Sequence, residues 1–173
     1  MAAGAVNDFS LLVHEFSSSR GVPTSDPVFT RRWSYGDVEN NGVYYHPQLT
    51  HYAHQAFEEF FYNQTGIHYT DLPRQTPASE KIRQAHSPPI VRMTFPVGWL
   101  HQWMLKPMHA GEEFKIWIDT VAVATNRIGV RAWIYNETNE LAAVVIWLRW
   151  AKTLDGLETT VPIPAWFPVA ALP

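Results

Sequence analysis

The chain has no cysteine in its 173 residues. Disulfides, thiolate catalysis and thiolate-held zinc are thereby excluded, and secretion is neither supported nor refuted on this count. Basic charge is also scarce: 13 Lys and Arg against 16 Asp and Glu leave a formal net charge of -3, with a pI near 6.2. Nucleic acid and anionic membrane both select for a basic field, so neither is an expected partner, although a local patch can still hold one phosphate group. No apolar run approaches the ~20 residues that cross a bilayer. The first residues, MAAGAVNDFSLLVHEF, have no basic lead, carry Asp8 early and keep only a short apolar run before His14 and Glu15. That pattern does not read as a signal peptide, and the expected location is the cytoplasm. Internal repeats and low-complexity tracts are missing too.

Aromatic rings are what the chain has in abundance, with eight Trp, seven Tyr and nine Phe. Such rings either fill a core or line an apolar ligand pocket, and composition does not separate the two. The length suits one domain with a proper core. Residues 17–27, SSSRGVPTSDP, are small, polar and proline-containing. They divide the chain into an N-terminal extension and linker, 1–27, and a main domain, 28–173.

Within the main domain the hydrophobic pattern changes its period. VFTRRWSY, 28–35, mixes β-branched and aromatic residues as a strand does. Further on, Pro47 suits a first helical position. Leu49, Tyr52, Ala53, Ala56, Phe57, Phe60 and Phe61 then recur at helical spacing to about Gln64, with Gly66 as the stop. Residues 68–89 hold four prolines and read as a long loop with one helical turn around SEKIRQA. Strands follow: IVRMTF, WLHQWMLK, EEFKIWIDTVAVAT, IGVRAWIYN and ELAAVVIWLRWAKTL, with the links PMHAGE, TNR and ETNE. Links this short predict antiparallel neighbours. The prolines of TTVPIPAWFPVAALP bar the tail from further sheet. The expected fold is α+β, one long helix against an antiparallel sheet. A single helix leaves the other face and the edge strand uncovered, so a homo-oligomer, dimer or tetramer, is expected.

Between the first strand and the helix lies the chemically densest stretch, YGDVENNGVYYHP, 35–47. It resembles the signature of hot-dog thioesterases of the 4-hydroxybenzoyl-CoA thioesterase type. There a strand ends in aromatic-Gly-Asp-x-Asp, followed by Gly, apolar residues, a Tyr-His or similar pair and the central helix. LKPMHAGEEFKIWIDTVAVATNRIGVRAWIYNETNELAAVVIWLRW is similar to the family's proline, Gly-Asp-Glu and long-strand passage, and TTVPIP to its closing proline segment. The resemblance covers roughly 28–167. It implies a hot-dog fold, with the helix wrapped by the sheet in a dimer, and acyl-CoA or acyl-carrier-protein thioesters as substrates, with no cofactor. Two departures stand out. Glu39 occupies the place of the family's catalytic Asp, and RMTFPVGWLHQWM is longer than the family norm.

Carried onto this chain, the resemblance makes Glu39 the nucleophile on a thioester carbonyl, or the base for a water, with the helix start as oxyanion site. A helix N-terminus offers free N–H groups and about half a positive charge, which also favours the ionised carboxylate. Pro47 has no N–H, so the main chain of His46 is the donor expected there. Glu39 reads alternatively as a helix cap or a solvated loop residue. The His46 ring serves as acid or base near neutrality, or as a cap. Asp37, Asn40, Asn41, Gly42 and Tyr45 complete the expected substrate-binding set. Asn-Asn-Gly is also ordinary turn chemistry, Gly42 allows close approach or positive φ, and Tyr45 suits packing. Arg127, in the turn TNR, either meets a CoA phosphate or is simply solvated.

Glu58 and Glu59 are reserve catalytic carboxylates, since some hot-dog enzymes take theirs from the central helix. His51, His54 and Glu58 share a helix face at spacings of three and four, the donor types of a metal site. No second ligand group accompanies them, so no metal is expected.

The preferred function is hydrolysis of an acyl-CoA or acyl-carrier-protein thioester bearing an aryl, polyketide or long acyl group. The alternatives on the same fold are a biosynthetic isomerase, dehydratase or cyclase that moves protons through Glu39 and His46, and a non-catalytic module that binds through its aromatic pocket.

Overall fold

The computed structural model describes residues 22–38, 46–85, 89–154 and 159–169. The periodic stretch forms helix α1 (His46–Thr65), 20 residues or about 30 Å long. Its apolar stripe is buried as the spacing predicts: Leu49, Ala53, Ala56, Phe57 and Phe61 have no exposed surface. Phe60 packs at the margin of the same core. Gly66 closes the helix with φ 71°, its N–H donating to the Tyr62 carbonyl at 2.7 Å. The region read as a loop with one turn holds a second helix, α2 (Pro77–Gln84). Thr76 caps it: Oγ1 accepts from the Ser79 N–H at 3.2 Å, and the Thr76 N–H donates to Ser79 Oγ at 3.0 Å. Ser79 thus takes the place that Glu or Gln holds in the commoner form of this reciprocal cap, and Pro77 follows the capping residue.

Five strands form the main sheet: β1 (Phe29–Arg32), β3 (Val97–Met104), β4 (Glu113–Ala124), β5 (Arg127–Tyr135) and β6 (Leu141–Trp150), in the order β1-β4-β5-β6-β3. Each neighbouring pair is antiparallel. The short links TNR and ETNE join neighbours as expected; PMHAGE does not. β3 pairs with β6 at one edge, while β4 pairs with β1 at the other. The link crosses three strand spacings, about 14 Å, well inside the ~26 Å reach of its eight residues. Main-chain bonds fix both its ends. The N–H groups of Leu105 and Lys106 donate to the Ala142 carbonyl at 2.8 and 3.1 Å, and the Gly111 N–H donates to the Trp33 carbonyl at 2.9 Å.

IVRMTF also departs from expectation. Only β2 (Met93–Thr94) is strand, and it pairs with β7 (Lys152–Thr153) in a separate ribbon. β6 and β7 divide the long apolar run at Ala151. The proline-rich tail contributes one isolated bridge, Lys152 to Thr160. It docks through single main-chain bonds, such as Ile163 N–H to the Thr125 carbonyl at 2.7 Å.

Strand alternation sorts the side chains. Phe114 and Ile116 of β4, Val130 and Ala132 of β5, and Val145 and Trp147 of β6 face α1. Trp117, Trp133, Val144 and Ile146 form a second cluster on the opposite face. The stretch read as a linker touches that face, because the Ser25 carbonyl accepts from Trp117 Nε1 at 3.0 Å. Rings mostly fill the core, as with Trp33 stacked on Phe114 at 4.4 Å. Gly98 is required by a close approach: a Cβ there would lie 1.6 Å from the Trp150 ring.

A Cβ on Gly66 would meet nothing within 4 Å, so its replacement tests backbone strain alone. Gly66→Ala is expected to cost about 1–2 kcal/mol, read as a lower thermal midpoint. Gly66→Asn is expected to lose less, since Asn tolerates the left-handed region.

Candidate active site

The helix start and the turn before it form one structural unit. After β1 the chain passes buried Trp33 and makes a single 3-10 turn, Tyr35–Asp37, with Ser34 as its cap. Asp37 Oδ2 accepts from the Ser34 N–H at 3.0 Å and from Ser34 Oγ at 2.7 Å. Burial alone would raise the Asp37 pKa. The Ser34 bonds, Tyr52 and the Arg31 charge together outweigh it and hold the carboxyl below its usual range. Asp37, expected at the substrate, is therefore buried and ties down the turn that leads into the polar stretch. Glu39, Asn40, Asn41, Gly42 and Tyr45 lie outside the described residues, as does the side chain of His46, whose main chain opens α1. Pro47 follows, exposed. One turn further on, Tyr52 packs edge-on to Trp33 at 5.5 Å, and the Arg31 guanidinium sits 4.4 Å above its ring. The two ends of the polar stretch are thus joined through the core.

Arg127 is placed elsewhere. It begins β5 opposite Ala124, at the far end of β4, whereas β1 pairs with Glu113 at the near end. Eleven residues of strand separate the two positions, about 36 Å. Within one chain Arg127 and the Asp37 turn do not meet.

The reserve carboxylates sit 12 and 13 residues along α1 from His46, about 18 Å from the helix start. Glu58 belongs to a second polar cluster. Arg149, on the helix side of β6, is 2% exposed. One guanidinium nitrogen, NH1, donates to the Tyr69 hydroxyl and to the Phe95 carbonyl, both at 2.9 Å. The other, NH2, lies 3.0 Å from His54 Nδ1. Among the described residues, Arg149 Nε is buried without a hydrogen-bond partner. The guanidinium also lies 4.8 Å from the centre of the Phe57 ring. On the far side of the imidazole, His54 Nε2 is 3.5 Å from Glu58 Oε1. Burial, then the Arg149 charge, push the His54 pKa down, and burial pushes the Tyr69 phenol up.

Two hollows open beside this cluster. One of about 410 Å³ is lined by His54, Glu58, Tyr69, Leu72, Pro73 and Met93 among others. One of about 510 Å³ is lined by Gln55, Glu58, Glu59, Tyr62 and Tyr69 among others. His51 lies outside the cluster, its Nε2 bonded to Gln55 Nε2 at 3.1 Å. Among the described residues, no three His, Asp or Glu side chains converge as metal ligands. The sequence reading passed over Tyr69 and Arg149. The available signal was a lone charge inside the apolar run LAAVVIWLRW.

The helix wrapped on one face by this antiparallel sheet is the hot-dog fold, and solved structures agree. A candidate thioesterase from Prochlorococcus marinus superposes with a TM-score of 0.64 at 18% identity, covering 80% of this chain and 88% of its own. Slr0204, a 1,4-dihydroxy-2-naphthoyl-CoA thioesterase from Synechocystis, gives 0.61 at 16%, covering 80% and 89%. SAV2348 from Staphylococcus aureus, solved with CoA, gives 0.61 at 13%, covering 80% and 77%. No family model matches the sequence, and no curated protein matches it significantly. Among the described residues no helix is long and apolar enough to cross a membrane.

A histidine whose folded pKa lies below its unfolded value of about 6.5 binds fewer protons when folded. Its contribution to stability is complete above that value and is lost as pH falls through the window down to the folded pKa. Wild type is therefore expected to lose more thermal stability between pH 7.5 and 5 than His54→Gln, as read from paired melting curves.

Proposed function

We propose that the chain is an acyl thioester hydrolase whose chemistry is centred on the start of α1. The observation that carries this reading is the route of the chain. Glu39 follows within two residues of the buried Asp37 anchor, and the polar stretch ends at a helix N-terminus. The N–H groups at a helix start, which have no intrahelical partner, stabilise an oxyanion, and their field favours the ionised form of a carboxylate brought to them. Glu39 attacks the thioester carbonyl or activates a water, the main chain of His46 contributes to the oxyanion site, and the His46 ring serves the leaving thiolate as acid. Asn40, Asn41, Gly42 and Tyr45 shape the acyl site around it. Asp37 acts through the turn it holds.

The fold neighbours support a CoA thioester as substrate, because one was solved with CoA and another is named for a naphthoyl-CoA. An aryl or long acyl group is the corresponding choice here. We further infer a homodimer or a dimer of dimers, since β1 and β3 are both sheet edges in a single chain. Arg127, remote from the Asp37 turn within one chain, can serve a CoA phosphate only through such an assembly.

The decisive experiment follows free thiol with a panel of aryl- and alkanoyl-CoAs. Wild type is expected to release thiol, and Glu39→Gln to abolish release while keeping fold and ligand binding. Glu39→Asp shortens the reach by one methylene and is expected to lose about a hundredfold in rate, the scale of a 1 Å misplacement. Near wild-type turnover by Glu39→Gln would overturn the assignment. Sedimentation is expected to show a dimer or tetramer, and a 19.8 kDa species alone at micromolar concentration would refute the assembly.

A further inference from the structure

The mid-helix cluster poses a physical problem that thioester hydrolysis at the helix start does not answer. Arg149 is a buried, permanent cation, and no carboxylate bonds to it among the described residues. Burying a charge without a bonded opposite charge is costly, and here the hydrogen bonds to Tyr69, Phe95 and His54 are what offset it. What the guanidinium does is fix the imidazole. Arginine can only donate, so His54 Nδ1, 3.0 Å from NH2, must accept and carry no proton. Neutral His54 then bears its proton on Nε2, on the opposite side of the ring. That N–H points toward Glu58, but at 3.5 Å the contact is longer than a well-formed hydrogen bond. His54 and Glu58 both line the 410 Å³ cavity, whose other walls include Leu72, Pro73 and Met93.

We propose that this cavity is a second ligand site, which takes a small apolar ketone or ester whose carbonyl oxygen accepts a hydrogen bond from His54 Nε2–H. The apolar body rests on Pro73 and the Tyr69 ring, with buried Leu72 and Met93 behind them, and the carbonyl supplies the well-placed acceptor that Glu58 does not. Arg149 and Tyr69 are positioning residues: the first sets the tautomer, and the second holds the first through its hydroxyl. The site lies about 12 Å (His54) to about 18 Å (Glu58) along α1 from the helix start. It is independent of the hydrolase reading, since it concerns binding and requires no turnover.

The test uses acetophenone labelled with 13C at the carbonyl, and ethylbenzene as its counterpart of matching shape. Wild type is expected to bind the ketone about tenfold more tightly than the hydrocarbon, the scale of one net hydrogen bond, and to move the carbonyl resonance downfield. His54→Phe keeps a ring and loses the donor. It is expected to bind both compounds equally and to abolish the downfield shift. Imidazole 15N spectra of wild type are expected to show His54 with a bare Nδ1 and a protonated Nε2, whether or not ligand is present. Equal binding of the two compounds by wild type, a downfield shift that survives in His54→Phe, or a protonated Nδ1 would each overturn the proposal.

Discussion

Everything in this molecule depends on the burial of one face of α1 against β4, β5 and β6. Each large side chain in that interface removes enough apolar surface from water to contribute about 1.5–3 kcal/mol. Leu49, Tyr52, Phe57 and Phe61 all lie in it, with at most 1% of their surface exposed. The contact fixes where the helix begins and which of its faces stays open. It also fixes how far Glu58 lies from the first turn. Functional groups on α1 are consequently carried on a rigid rod and separated by a length that no loop movement changes.

The rod presents two electrostatic environments. At its N-terminus the first main-chain N–H groups have no partner within the helix and carry a partial positive charge that attracts anions, and the turn secured by Asp37 and Ser34 lies ahead of the polar stretch that leads to it. Midway along, charge is managed by burial. Arg149 is enclosed by Phe57, Tyr69 and Trp147, and it imposes its hydrogen-bonding role on His54. The first environment suits a carboxylate that must stay ionised. The second suits an imidazole that must stay neutral.

Local pattern was enough wherever a structure satisfies its own hydrogen bonds. The 3.6-residue stripe marked α1, Gly66 marked its end, and the links TNR and ETNE marked two hairpins. The reading stopped short where partners come from afar. PMHAGE has the length of a hairpin link, yet β3 pairs with β6, and the Leu105 and Lys106 N–H groups continue that pairing at the Ala142 carbonyl. IVRMTF has strand character, yet only Met93 and Thr94 find a partner, β7. The cap on α2 was missed because Ser79 stands where Glu or Gln usually signals one.

The same division runs through the candidate sites. By itself the sequence determined that an acid, two asparagines and a glycine stand immediately before an amphipathic helix, because that is a matter of neighbours along the chain. It also determined that His54 and Glu58 share a helix face, because 3.6 residues per turn requires it. Only the tertiary structure decided that Arg149, 95 positions beyond His54, meets its Nδ1, and that Arg127 lies a strand's length from the Asp37 turn. A buried cation selects its partners by enclosure and distance in space, and the linear order of residues carries neither.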